Sequence, residues 1–134
     1  MNLIEWTEKE NCNVRIIDEQ HKKIVTVANE LYNLLGSDKK WKIESLVKDL
    51  VETAKEHFET EEKLMTENKF LGFYSHKLEH ESFLNKLYSF KQAFDGGNQD
   101  VTLKFLMTLK NWMINHLELN DKKCCEYFNS IGIK

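Results

Sequence analysis

The stretch "VETAKEHFETEEKLM", Val51–Met65, decides the fold, because its core stripe can be counted. Apolar residues fall at Ile43, Val47, Leu50 and Ala54, in steps of four, three and four. That is the period of one buried face of an α-helix. The next two places on the stripe are His57 and Glu61, and Leu64 then resumes it. A helix that puts an imidazole and a carboxylate where its core belongs needs something inside the protein to meet them.

Three further stripes follow the same period. The first helix is expected over about 18–35, with His21, Ile24, Ala28, Leu31 and Leu35 inward, Asp18 as N-cap and Gly36 as terminator. The second runs over about 41–68, with Ser37 or Asp38 near its start. The third runs over about 74–95, between Gly72 and Gly96–Gly97, with His76, His80, Phe83, Leu87, Phe90 and Phe94 inward. The fourth runs over about 100–127, starting near Asp100, with Val101, Phe105, Leu109, Trp112 and His116 inward. Residues 1–17 show no period and form an extended N-terminal arm, laid on the body by Trp6, Val14, Ile16 and Ile17. Four helices with short connections predict an all-α, antiparallel up-down-up-down four-helix bundle, one domain over 1–134.

Composition agrees. The 134 residues are 41% hydrophobic and 31% charged, with five glycines and no proline. The formal net charge is -3, and Arg15 is the single arginine, so no nucleic-acid partner is expected. No apolar run approaches the roughly 18 residues of a membrane span, and the N-terminus lacks the apolar block of a secretory signal. No membrane partner is expected, and the location expected is cytoplasmic. The three cysteines, Cys12, Cys124 and Cys125, are therefore expected as reduced thiols.

All five histidines of the chain, His21, His57, His76, His80 and His116, lie on core stripes. Glu61 follows His57 by four residues and Asp121 follows His116 by five. Seven polar groups in one core cost several kcal/mol each, about, unless paired. Metal ions compensate well, and side chains four apart on a helix reach one ion together. Seven ligands are too many for one ion and enough for two. The mixed N/O set suits iron, with zinc, manganese or cobalt open on ligand type. A carboxylate-rich di-iron oxygenase would carry Glu-x-x-His pairs, and the stripes have none. The five-residue step to Asp121 turns its side chain about 140° off the stripe of a regular helix. A π-type turn near Glu118–Asp121 would restore the alignment.

The order "DEQH" (Asp18–His21), "HFETE" (His57–Glu61), "HKLEH" (His76–His80) and "HLELND" (His116–Asp121) resembles the hemerythrin family, and bacterial single-domain hemerythrins most. Phe70-Leu71 stands where that family often has Tyr-Pro. The resemblance implies two irons (Fe2+/Fe3+) bridged by Glu61, Asp121 and an oxo or hydroxo group. It puts His76, His80 and His116 on one iron and His21 and His57 on the other, whose open position would take O2. It implies an O2 pocket of Ile24, Phe58, Trp112, Met113 and Leu117, and reversible O2 binding for storage, delivery or scavenging rather than enzymatic turnover. Two alternatives stay open. One is an oxygen or redox sensor acting through a separate partner; the other is a di-iron peroxidase or nitrite reductase. The oligomeric state is not legible.

Overall fold

The computed structural model describes residues 2–97 and 101–134, without the side chains at positions 9, 101 and 117–119. Four helical rods make the bundle. They are α1 (Arg15–Leu34), α2 (Lys40–Glu67), α3 (Phe73–Asp95) and a last rod of three parts. That rod is α4 (Val101–Asn115), a π-helical turn (His116–Asp121) and α5 (Lys122–Ser130). Asn115, Asp121 and Lys122 all keep right-handed helical torsions, so the three parts run on without a break. α1 packs on α2, α2 on α3, α3 on α4, and α4 closes on α1. No helix among the described residues is long and apolar enough to cross a membrane.

Two details of the first helix differ from expectation. It begins at Arg15, so the arm is shorter, and Val14 stands at its N-cap without a side-chain cap. Asp18 is not the cap. Its carboxylate instead accepts the backbone N–H groups of Cys12 and Asn13, at 2.6 and 3.0 Å, and fastens the arm to the helix. Of the four arm residues expected to pack, Val14 and Ile17 are buried and Trp6 is half-buried, but Ile16 points outward. A 3-10 turn at Glu8–Glu10 interrupts the otherwise irregular arm. The last rod continues past the expected end, to Ser130. Its expected first residue, Asp100, lies outside the described residues.

The core is divided. One apolar cluster holds Ile24, Leu31, Val47, Leu50, Phe58, Leu87, Phe90 and Leu106, with Leu3 and Ile4 of the arm. A smaller one holds Cys12, Val14, Ile17, Met65, Cys124, Cys125 and Phe128. Every rod passes from one cluster to the other through a polar residue of the constellation. α1 does so at His21, α2 at His57 and Glu61, α3 at His76 and His80, and the last rod at His116 and Asp121. The bundle is therefore apolar at both ends and polar in one internal layer. Apolar burial on either side holds the rods in register, at roughly 2–5 kcal/mol for each large aliphatic side chain if truncated to alanine.

Candidate metal centre

Helical spacing brings the seven polar side chains into that layer. His57 and Glu61 are one turn apart on α2, and His76 and His80 one turn apart on α3. Asp121 depends on the π turn. Five residues of regular helix would carry it away from His116, and the wider turn from His116 to Asp121 brings it back. All seven are buried, none more than 4% exposed.

Each carboxylate straddles two histidine groups. Glu61 Oε2 lies 2.6 Å from His57 Nε2 and 4.0 Å from His21 Nε2. Its Oε1 lies 2.6 Å from His76 Nε2 and 3.7 Å from His80 Nε2. Asp121 repeats the pattern. Oδ2 lies 3.1 Å from His21 Nε2, while Oδ1 lies 2.8 Å from His116 Nε2 and 3.0 Å from His76 Nε2. Two sets of donor atoms result, each within 4.8 Å of one another. One set is His76, His80, His116, Glu61 and Asp121; the other is His21, His57, Glu61 and Asp121. The two share both carboxylates.

His21 Nε2 and His57 Nε2 face each other at 2.9 Å, but the other inward atoms are close without satisfying one another. Both oxygens of Glu61, both of Asp121, and Nε2 of His76, His80 and His116 are buried without a hydrogen bond of acceptable direction. Leaving seven such atoms unpaired in a core would be strongly unfavourable. A cation between the nitrogens and the oxygens removes that cost, and imidazole plus carboxylate is the donor set for it. The donor set thus fits a pair of metal ions.

A second ring of contacts aims the imidazoles. His57 Nδ1 donates to Gln20 Oε1 at 2.9 Å, and Gln20 is held in turn by Thr60. His80 Nδ1 donates to Glu62 Oε2, and His116 Nδ1 to Glu79 Oε2, each at 3.1 Å; Asn120 also donates to Glu79. A proton on Nδ1 leaves the Nε2 lone pair pointing inward, as a ligand requires. The sequence reading missed Gln20, Glu62, Glu79 and Asn120. A signal existed, since all four sit inside or beside the ligand motifs, but each lies off the core stripe that the periodicity follows.

Ring stacking fixes the remaining faces. Phe58 stacks on His80 with centroids 4.1 Å apart, and Trp112 stacks on His116 at 4.3 Å. Phe83 stacks on Trp112 at 4.1 Å. Trp6 of the arm reaches to 6.0 Å from His21.

A small cavity opens beside the His21/His57 group. Its walls are His21, His57, His116, Asp121 and the side chains of Ile24, Ala54, Phe58, Phe83, Leu109, Trp112 and Met113. It leaves about 10 Å³ for the centre of a water-sized molecule, near the lower limit that one such molecule needs. Of the expected pocket residues, Ile24, Phe58, Trp112 and Met113 line it. The side chain of Leu117 lies outside the described residues.

The metal-free layer is electrostatically uneven. Burial disfavours a charged His76, but the carboxylates of Asp121 and Glu61 outweigh it and hold the group up at about 10. Burial pushes His80 down to about 3. Burial also opposes ionisation of Glu61 and Asp121, yet the histidines around them keep both well below the usual carboxylate range. The folded state refuses a proton at His80 that the unfolded chain accepts below about 6.5, so this contribution is lost as pH falls. The folded state keeps a proton at His76 that the unfolded chain releases above about 6.5, so that contribution is lost as pH rises toward 10. The metal-free protein should therefore melt highest near pH 6.5, about the unperturbed histidine value, and lower on both sides. Metal loading should abolish the alkaline limb, because a ligated His76 carries no second proton. Melting curves across pH for both forms test this; a flat metal-free profile would contradict it.

A helical bundle with a buried histidine–carboxylate layer defines a metal-binding class of protein, and comparison with known proteins gives the class its family. Residues 12–125 match the family model described as "Hemerythrin HHE cation binding domain", and the chain belongs to the hemerythrin family. It is 27% identical to a bacteriohemerythrin of Stenotrophomonas maltophilia over 122 residues, 91% of this chain and 79% of that one. It is 29% identical to a bacteriohemerythrin of Clostridium acetobutylicum over 123 residues, 88% of this chain and 95% of that one. Its fold superimposes on a crystal structure of wild-type hemerythrin with a TM-score of 0.80 at 29% identity, covering 90% of this chain and 93% of the other.

Proposed function

We propose that the whole chain, 1–134, acts as one non-haem di-iron unit that binds O2 reversibly. In this reading His76, His80 and His116 would hold one iron, His21 and His57 would hold the other, and Glu61 and Asp121 would serve both, with an oxo or hydroxo group as the further shared ligand. The pair of irons, when bound, supplies two electrons and one open coordination position for O2. One observation carries the reading. The two bridging carboxylates serve three histidines on one side and two on the other, and the cavity lies on the side that is short of a ligand.

The chain's own residues account for the rest. Gln20, Glu62 and Glu79 hold three of the imidazoles with their lone pairs inward. Ile24, Phe58, Phe83, Leu109, Trp112 and Met113 surround the open side with hydrocarbon and aromatic surface. That lining excludes water and solutes that would drain electrons from the site. It also disfavours turnover chemistry. Among the described residues, no carboxylate, histidine or hydroxyl outside the ligand set lines the cavity, so no independent acid or base stands beside a bound molecule. Storage, delivery or scavenging of O2 follows more directly from such walls than peroxide or nitrite reduction.

The test is gas uptake. Protein loaded anaerobically with ferrous iron should take up one O2 for each pair of irons and release it when purged with argon. Irreversible uptake, or sustained consumption of peroxide or nitrite above the rate of free iron, would contradict the proposal.

A further inference from the structure

The metal reading makes no use of the cysteines. Cys12 and Cys125 are joined as a disulfide, with their Cα atoms 5.5 Å apart across 113 residues of sequence. This overturns the expectation that all three cysteines are reduced. Cys12 belongs to the arm, and Cys125 lies four residues after Asp121, in α5. The Cys12 sulfur sits 3.8 Å from the carbonyl oxygen of Asp121. A disulfide sulfur carries no hydrogen, so this is a packing contact. Asn129 Nδ2 donates to the carbonyl oxygens of Cys12, at 3.1 Å, and Cys125, at 2.6 Å, and so fixes both ends of the bond.

The bond is buried, with Cys12 6% and Cys125 2% exposed, but it borders the surface. Both cysteines line an outward-open cleft whose other walls include Asn11, Asn13, Lys122 and Glu126. Cys124, the neighbouring free thiol, is fully buried and faces inward. Burial and the nearby Glu61 and Asp121 carboxylates push its thiol far up, so it remains an unreactive SH.

We propose that Cys12–Cys125 is a thiol–disulfide exchange site for a dithiol reductant, and that breaking it unclamps the arm from the turn that carries Asp121, so that metal is held more tightly in the disulfide form. A thiolate of the reductant attacks the sulfur of Cys12, the less buried partner, and a new S–S bond forms as the Cys12–Cys125 bond breaks. The Cys125 thiolate leaves and takes a proton. The reductant's second thiolate then displaces Cys12, which takes the other proton. Two electrons and two protons pass to the protein, and the reductant leaves as its own disulfide. With the bond open, the covalent tie between the arm and the rod that carries Asp121 is gone, and only the hydrogen bonds of Asp18 and Asn129 still hold this part of the arm. The second half of the proposal rests on the di-iron reading; the exchange site does not.

The experiment uses the full chain in both states. Metal-free protein, oxidised with glutathione disulfide, is treated with dithiothreitol in native buffer, and maleimide mass shifts count thiols after denaturation. One reactive thiol is expected before treatment and three after. Three thiols before treatment, or reduction only in denaturant, overturns the exchange site. Each form, freed of reductant, is then loaded anaerobically with ferrous iron and given a chelator. Iron should leave the reduced form about tenfold faster, the lower range for loss of an outer support of a metal site. Cys124→Ser should leave this difference intact, and Cys125→Ser should release iron fast whatever the thiol conditions. Equal release from the two wild-type forms overturns the coupling. If the protein takes up no iron, the di-iron reading fails, and amide hydrogen exchange over residues 116–125 decides instead. Faster exchange in the reduced form supports the clamp, and unchanged exchange overturns it.

Discussion

Chelating the metal from the loaded protein is expected to lower its melting temperature by about 10–20 °C. The size follows from linkage. A ligand present at about a thousand times its dissociation constant adds roughly 4 kcal/mol to the folded state, and a domain of this length shifts by roughly 3–5 °C for each kcal/mol. The site itself gives the direction. Without metal, the layer retains carboxylate oxygens and imidazole nitrogens that are buried and unpaired. Complete unfolding is not expected, because apolar clusters lie on both sides of the layer. The measurement is a pair of thermal melts, with and without a strong chelator, at one protein concentration. Coincident melts would mean that the layer is satisfied without metal.

The second large effect belongs to Glu61. Substitution Glu61→Ala should take metal content from two ions per chain to nearly none. Among the described residues, Glu61 is the one side chain whose two oxygens reach toward four histidines, His21 and His57 on one side and His76 and His80 on the other. On the proposed reading, truncation therefore removes a ligand from both ions and the negative charge between them. His21→Ala touches only the two-histidine side and should spare the three-histidine ion in part. Metal analysis of the two variants, with circular dichroism to verify that each is helical, distinguishes them. Glu61→Gln keeps the shape and removes the charge, so it covers the case in which the alanine variant folds poorly. Full retention of two ions by Glu61→Ala would remove the bridge from the account.

Much of this was legible in the chain because one regularity governs both fold and site. The three-and-four step that defines each buried stripe passes without a break through His57–Glu61 on α2 and His76–His80 on α3. Reading the period therefore reads the ligands. The step that breaks the period, His116 to Asp121, predicts the π turn found there, since a regular helix would turn Asp121 away from its partners.

What was missed has one physical cause: period reports which face a residue occupies, not what it reaches across the bundle. Gln20, Glu62 and Glu79 sit one position off the stripes and contact imidazoles on neighbouring helices. Asp18 looks like a cap because its residue type and place suit one, but its carboxylate turns back to the arm. The arm was the hardest segment, having no period to read. Pairing of Cys12 with Cys125 depends on where that arm crosses the last rod, and no local pattern encodes a contact between residues so distant in sequence.

The central claim is a pair of irons inside the bundle, one of them short of a protein ligand. Anomalous diffraction from crystals of the iron-loaded protein, measured at the iron absorption edge, tests it most directly. The account predicts two peaks per chain between Glu61 and Asp121, one ringed by His76, His80 and His116, the other by His21 and His57 alone with a free position toward the Ile24–Met113 cavity. A single peak, or two peaks each saturated by protein side chains, would contradict it.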